Sequence, residues 1–523
     1  MRDIIKKEIE GAIKKVYPER NQGIDFNVSA DGKFGDYSSN VAMVIGGNPR
    51  ENAEKIKSHL EQVSNFQFLI SKIEIAGQGF LNFTLSERRL AEGLKNLGHS
   101  VSKRTPSVHK KKIQVEFISA NPTGELHIGH GRSAFYGDAL ANVLMAAGYK
   151  VEREYFINDS KESAQIKELG KTVLGKGVFY LTDYLKAKIQ DSRFKIQVED
   201  EVEAGYLMAQ QIQKDNQKFI EKDLKIKFDK WFSEEKELRE KTFFKKTLDL
   251  LKKKSLVYEK DGAVWLKTPA FSDDEDRVLL RSDGSVSYFL SDIAYHVDKN
   301  RRGYNKMIDI WGADHHGHVK RMMAVKKMLG WKGDLEILIS QMVILKEGDE
   351  KKKLSKRKGI IILLKDLIKE IGLDACRWFY LEKSLSTHME FDMALAKERS
   401  IKNPVYYVQY AGARMSSILS KSKISAKGGS ASGGNFQFPK SVRNLVVKLI
   451  QFPEIIEDTA KDYQVNRLTI YAYELAKEFS QFYESTKVIG SENEKELIAL
   501  VALTRKTLVD VLNLLGISAP KKM

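Results

Sequence analysis

From Ile113 to Ala147 the chain reads as strand, turn, two histidines and helix, an order that few folds accommodate. Alternation in Ile113-Gln114-Val115-Glu116-Phe117-Ile118 marks a strand. Asn121-Pro122-Thr123-Gly124 predicts a turn, because proline presets φ and glycine permits a tight bend. His127-Ile128-Gly129-His130 then opens a helix, whose apolar positions Phe135, Leu140, Val143, Leu144 and Ala147 recur at helical spacing. A strand feeding a helix N-terminus makes an anion-friendly crevice, with free amides and the positive dipole end facing phosphate. Gly129 lets ATP approach the backbone closely, while His127 and His130 offer donors. Such a tetrapeptide alone is more often a pair of buried, satisfied histidines. The strand–turn–helix context favours the nucleotide.

A second cationic element lies about two hundred residues downstream, in Lys346 to Lys358 (KEGDEKKKLSKRK). Most such runs are solvated loops. Cations this close repel one another, however, and a polyanion relieves the repulsion. Gly348 and Gly359 bracket the run and suit a loop that closes over a ligand. Charge that builds on a leaving pyrophosphate is stabilised by positioned ammonium groups, and Lys353 and Lys356 are the candidates.

Together the two elements resemble the HIGH and KMSKS motifs of the class I aminoacyl-tRNA synthetases. The surrounding sequence resembles the arginyl branch of that family. The matching segments are Ser119 to Gly124, Glu154 to Asp159 (EYFIND), Asp276 to His296, Trp311 to His316 (WGADHH) and Asn403 to Arg414 (NPVYYVQYAGAR). The similarity runs from Phe34-Gly35-Asp36-Tyr37-Ser38 to the carboxyl terminus, in shared order and spacing. Leu354 stands where the lysine motif usually has Met, a volume-conserving change, and Arg357 replaces its last Ser. Gly412 stands where many relatives carry His, so no role is carried to it.

Size and charge agree. A chain of 523 residues exceeds what one core supports, so two to four domains are expected. A net charge of +17 suits a polyanionic partner. No apolar run approaches the ~20 residues of a spanning helix, which argues against a membrane. The amphipathic start (Ile4, Ile5, Ile9, Ile13, Val16) carries Asp3, Glu8 and Glu10, unlike a signal or transit peptide. Cys376 is the only cysteine, which excludes an internal disulfide and a cysteine-built zinc site. The chain reads as cytoplasmic.

The expected architecture is α/β. An α+β amino-terminal domain spans residues 1–100, and a basic, proline-bearing linker follows from His99 to Lys112. A doubly wound, parallel-sheet (Rossmann-like) catalytic domain spans 110–385, with a charged, largely helical insertion near 160–260. An all-α helical domain spans 390–523, starting near Phe391, with a glycine–serine loop from Lys427 to Asn435. Gly170-Lys171-Thr172-Val173-Leu174-Gly175-Lys176-Gly177 nearly spells a phosphate-binding P-loop. It lacks the final Ser/Thr and no strand precedes it, so it is rejected.

Arginine recognition needs carboxylates in a fork around a guanidinium. Gln114 and Glu116 share one strand face, and Tyr288 and Asp292 lie four apart on one helix face. The resemblance carries arginine contacts onto Glu116, Asn121, Tyr288 and Asp292, with His127 beside the substrate. Without it, Asp292 reads equally as a surface carboxylate or helix cap, and Tyr288 as a core aromatic. Met307-Ile308-Asp309-Ile310-Trp311 predicts a second buried strand. Gly312 at its end, with Asp314 and His318, is assigned to ATP together with Gly129, His130, Lys353 and Lys356. The His315, His316, His318 cluster lacks cysteine and a clear carboxylate partner, so no metal site is assigned. Magnesium is expected to arrive with ATP.

In the third segment, Tyr406, Tyr407 and Tyr410 share a helix. Unstacked bases lie on aromatic rings, although tyrosines at this spacing are more often helix–helix core. The resemblance assigns Tyr407, Tyr410 and Met523 to the anticodon, and the first segment to the outer corner of tRNA. The activity it implies is arginine activation by ATP and transfer to tRNA(Arg); the sequence does not fix the oligomeric state, and a monomer is expected. Arginyl enzymes generally activate the amino acid only with tRNA bound. Two other readings are a catalytically silent tRNA-binding regulator and a small-molecule ligase on the same fold.

Overall fold

The computed structural model describes residues 1–20, 23–30, 34–100, 111–191, 198–271, 273–347, 350–352, 362–422 and 439–523. At the amino end, a helix over Arg2–Val16 buries Ile5, Ile9, Ala12 and Ile13, the stripe its spacing predicts. It covers an antiparallel sheet of β1 (Val28–Ala30), β2 (Tyr37–Ser39), β3 (Ile70–Ala76) and β4 (Phe80–Leu85), in the order β1-β2-β4-β3. Asp36 holds this unit to the helix Lys440–Asp462. Its carboxylate accepts a guanidinium fork from Arg443 (2.9 Å at Nη1, 2.5 Å at Nη2) and the amide of Leu85 (2.6 Å). The Phe34–Ser38 motif therefore joins distant stretches of the chain.

The central sheet contains β5 (Lys112–Glu116), β6 (Lys150–Ile157), β7 (Lys230–Ser233), β11 (Lys306–Gly312) and β12 (Asp334–Ser340), all parallel, in the order β12-β11-β5-β6-β7. The chain winds outward from β5 through β7, then returns to lay β11 on the other side of β5. The strand order reverses at that junction, and ligands bind open α/β sheets beyond the carboxyl ends of such a pair. Three short strands form an antiparallel side sheet between β7 and β11: β8 (Val257–Lys260), β9 (Ala263–Leu266) and β10 (Arg277–Leu280).

Within the 160–260 stretch, Lys230–Ser233 is the edge strand of the main sheet, so helical insertion surrounds it on both sides. Its helices Ala164–Val173 and Glu201–Lys222 cross at two glycines. A methyl on Gly170 would lie 1.6 Å from Glu201 O, and one on Gly205 would lie 1.9 Å from Ile166 O. Gly170 thus serves a close helix crossing, which explains the P-loop look-alike. A last small sheet joins β13 (Val343–Glu347), β14 (Glu350–Lys352) and β15 (Met389–Asp392). Phe391 lies in β15, and the first helix after it starts at Met393.

The carboxyl-terminal helices are Pro404–Lys421, Lys440–Asp462, Asn466–Ser485 and Glu494–Leu515. Arg377, 1% exposed, ties them to the catalytic sheet. It donates to Asp138 Oδ2 on the histidine-led helix (2.8 Å), to Leu515 O (3.1 Å) and to Leu224 O (2.8 Å). No helix among the described residues is long and apolar enough to cross a membrane.

Candidate functional site

His127 and His130 begin the helix Ile128–Ala146 as a reciprocal cap. His127 Nδ1 accepts from Gly129 N (3.0 Å), His130 Nδ1 accepts from His127 N (3.2 Å), and the rings stack 3.8 Å apart. Each Nδ1 is an acceptor, so each ring keeps its proton on Nε2 and has one N–H to donate. Burial, reinforced by His127, lowers His130 to about 3, so it stays neutral at pH 7. A methyl on Gly129 would lie 2.8 Å from His127 Cε1, so this cap requires glycine there.

The carboxyl-terminal flank of the lysine run reaches the histidine turn. The β13–β14 hairpin leads into it, and Ile362 to Leu364 lead out beside the histidines. Ile128 N donates to Ile362 O (3.1 Å), and Leu364 N donates to Leu126 O (2.9 Å). Lys353 and Lys356 themselves lie outside the described residues.

Across the reversal point, β11 ends in Gly312, where a methyl would lie 2.5 Å from Asp314 Oδ1. Asp314 is exposed, and His318, half-buried, is lowered by burial first and by Arg321 next. The histidine cap and the Gly312 corner therefore stand at the carboxyl ends of the adjacent strands β5 and β11.

Below the crevice the expected arginine contacts separate into two settings. Ile118 (φ 69°) and Ser119 (φ 41°) both adopt left-handed backbone, a cost of about 1–3 kcal/mol each. This kink turns Ser119 Oγ back to donate to Glu116 Oε1 (2.9 Å). Tyr155 holds the next peptide by bonding both the N–H and the C=O of Ala120 (3.0 and 3.1 Å). Asn121 is exposed and accepts from Asn158 Nδ2 (2.9 Å). Tyr288 and Asp292 occupy the first turns of the helix Tyr288–Arg301, which Ser287 caps. Tyr288 is 58% exposed, so it is not a core aromatic. Burial lifts Asp292 to about 6, and among the described residues no hydrogen bond reaches its carboxylate.

Glu116, 6% exposed, is already paired: Lys299 Nζ donates to its Oε2 at 2.5 Å. Sequence reasoning missed this partner, along with Asp309 and His296, which complete the cluster. It also missed Glu234 at the end of β7, which accepts from Ser291 Oγ (2.6 Å) and is lifted to about 7 by burial. One signal was available. Asp309 interrupts the apolar run Met307–Ile310 of a buried strand, and a carboxylate there demands a buried cation.

The tyrosines of the helix Pro404–Lys421 differ in setting. Tyr407 packs on Tyr473 (ring centroids 5.2 Å apart) and donates to Ser480 Oγ (3.2 Å). Tyr410 is parallel to Tyr406 (6.5 Å) and carries the Arg414 guanidinium over its face (4.9 Å). Met523 is 52% exposed. A cavity of about 600 Å³ opens at the opposite, amino-terminal end of the sheet, lined by Lys111, Tyr149, Lys306, Asp334 and Tyr463. That end is not where open α/β sheets hold substrates.

Comparison with known proteins decides the family. Residues 3–85 match the arginyl tRNA synthetase N terminal domain. Residues 94–164 and 182–403 match the catalytic domain of class I (R) tRNA synthetases, and 408–523 match the DALR anticodon binding domain. The arginine–tRNA ligase of Bacillus subtilis is 38% identical over 100% of this chain and 99% of its own. That of Geobacillus kaustophilus is 39% identical over 95% of this chain and 94% of its own. The chain belongs to the arginyl-tRNA synthetases. The Thermus thermophilus arginyl-tRNA synthetase shares the fold, with TM-score 0.79, 21% identity and full coverage of both chains. Residues 165–181, around the Gly170 crossing, fall between the two matched catalytic segments.

Proposed function

We propose that the crevice at the strand-order reversal carries both steps of arginine–tRNA ligation. ATP lies between the histidine cap (Gly129, His130) and the Gly312, Asp314, His318 corner. The guanidinium of arginine faces Glu116 and Asp292, with Tyr288, Asn121 and His127 around the rest of the substrate. The arginine carboxylate attacks the α-phosphate, a new O–P bond forms, and pyrophosphate leaves. The His127 and His130 Nε2–H groups, with Lys353 and Lys356, stabilise the charge that gathers on the phosphates. The 3′-terminal hydroxyl of tRNA(Arg) then attacks the arginyl carbonyl, and AMP departs. Positioning and charge stabilisation supply the rate, with no covalent enzyme intermediate.

Asp292 carries this reading. A carboxylate left without a hydrogen bond beneath a ligand crevice calls for a cationic ligand. Magnesium accompanies ATP in this scheme. The helical segment holds the anticodon through Tyr410, Tyr407 and Met523, and the protein works as a cytoplasmic monomer. Activation waits for tRNA, whose binding energy stabilises the competent site.

Charging of total tRNA with each labelled amino acid tests the assignment, and arginine alone should be accepted. Binding of tRNA without pyrophosphate exchange would indicate a silent regulator. Exchange without tRNA charging would indicate a small-molecule ligase.

A further inference from the structure

Parallel sheets are usually apolar on both faces, yet here the face of β5 and β11 toward the helix Tyr288–Arg301 is charged. Glu116 and Asp309 are register partners on adjacent strands, so their side chains leave the sheet side by side. Lys299, 0% exposed, reaches between them: its Nζ donates to Glu116 Oε2 (2.5 Å) and to Asp309 Oδ1 (2.7 Å). His296, one turn earlier, lies 2.7 Å from the other Asp309 oxygen through Nε2. Its Nδ1 lies 2.7 Å from the backbone carbonyl of Asp292. Both partners of that ring are acceptors, so a protonated ring donates to each. An unbroken chain of short hydrogen bonds thus runs from Glu116 through Lys299, Asp309 and His296 to the backbone carbonyl of Asp292. These end residues are the two carboxylates assigned to the guanidinium.

We propose that Lys299, Asp309 and His296 are positioning residues that fix Glu116 and Asp292 and leave the cluster short of positive charge, a deficit the substrate's guanidinium fills. The inference rests on the assignment of Glu116 and Asp292 to arginine. Three carboxylates (Glu116, Asp292, Asp309) face Lys299 and His296, so carboxylates outnumber cations whether or not the ring is charged. Buried charge is tolerated when paired, so a site with this imbalance favours a cationic ligand over a neutral one of the same shape. Asp309 stays ionised, held at about 2 chiefly by Lys299 against the effect of burial. Selectivity then depends on residues that never touch the substrate.

The test uses the full chain in pyrophosphate exchange with tRNA present, reading the arginine KM and the Ki of citrulline, a neutral isostere. Asp309→Asn removes one negative charge without altering either reading carboxylate. Its arginine KM should rise about tenfold or more, with citrulline Ki and ATP KM unchanged. Lys299→Met added to Asp309→Asn restores the wild-type charge balance and should regain some of the loss. A merely structural role would weaken both amino acids alike and make the double variant worse, and either result overturns the proposal. His296→Gln removes no negative charge, so it should hold or raise the arginine-to-citrulline preference. It serves where Asp309→Asn does not fold, and a fall in that preference overturns the proposal. Glu116→Gln and Asp292→Asn separate the two levels. If both leave arginine KM unchanged, the pocket assignment itself fails; if they raise it while Asp309→Asn does not, only the positioning role fails.

Discussion

Asp292→Asn preserves shape and removes charge at the carboxylate beneath the crevice. Truncating one partner of a desolvated charge pair costs about 2–5 kcal/mol. Asparagine keeps one acceptor oxygen, which places the loss near the lower end, at about 2–3 kcal/mol. At ~1.4 kcal/mol per decade that is roughly a 30- to 150-fold fall in kcat/KM for arginine, with ATP KM unchanged. The pH profile provides a second readout. Burial lifts Asp292 to about 6 in the unliganded protein. On the proposed assignment the ionised form accepts the guanidinium, so kcat/KM for arginine should fall as pH drops through that value and recover above it. Because kcat/KM reports groups of the free enzyme, this acid limb belongs to Asp292 and should vanish in the variant. Pyrophosphate exchange with tRNA present, run from about pH 5 to 8, gives both quantities. An unchanged acid limb in Asp292→Asn, or an arginine KM within about twofold of wild type, would refute the reasoning.

Lys356→Ala should slow adenylate formation by ~10²–10³ with little change in arginine KM; single-turnover kinetics would show it, and a pure KM effect would count against a transition-state role. Tyr410→Ala should weaken tRNA binding by ~1–3 kcal/mol in filter-binding assays if a base stacks there, with the circular dichroism spectrum intact. Gly170→Ala must force its helix away from the one it crosses, because only 1.6 Å is left for the new methyl. It should destabilise the insertion by about 1–3 kcal/mol or more, visible as faster proteolysis between residues 164 and 222. Arginine-dependent exchange should be negligible without tRNA, and brisk exchange in its absence would remove the proposed coupling.

The histidine turn was legible because its residues announce local geometry: alternation, proline, glycine and a cap lie within twenty residues of one another. Both sides of the crevice followed from the same logic, since Gly312 ends a strand as apolar as β5. What stayed hidden depends on long-range pairing. Lys230–Ser233 is four residues beside charged helical sequence, and only its partner β6 makes it a strand. Phe391 was read as the start of helix because its register partner, Leu345, is far away in sequence. Lys299 was hidden for a different reason. A lysine on a helix is ordinarily solvated, and this one is buried because two carboxylates from separate strands converge on it. Tyr407 and Tyr410 looked equivalent from spacing, yet one packs against a neighbouring helix while the other carries an arginine over its ring.

The pairing of β5 with β11 also bears on how the protein emerges from the ribosome. About 190 residues separate Glu116 from Lys306, the first residue of β11. At ~5–20 residues per second, β5 waits on the order of 10–40 s for that neighbour. During that interval β6 can cover one edge of β5, but the other edge presents unpaired backbone, an invitation to association between nascent chains. Glu116 meanwhile has no Lys299 and remains hydrated. The charged face proposed to select the substrate would therefore also act early, since a strand carrying a solvated carboxylate is a poor template for another strand. Replacing Glu116 and Asp309 by apolar residues would relieve the finished protein of buried charge and leave its half-made sheet adhesive.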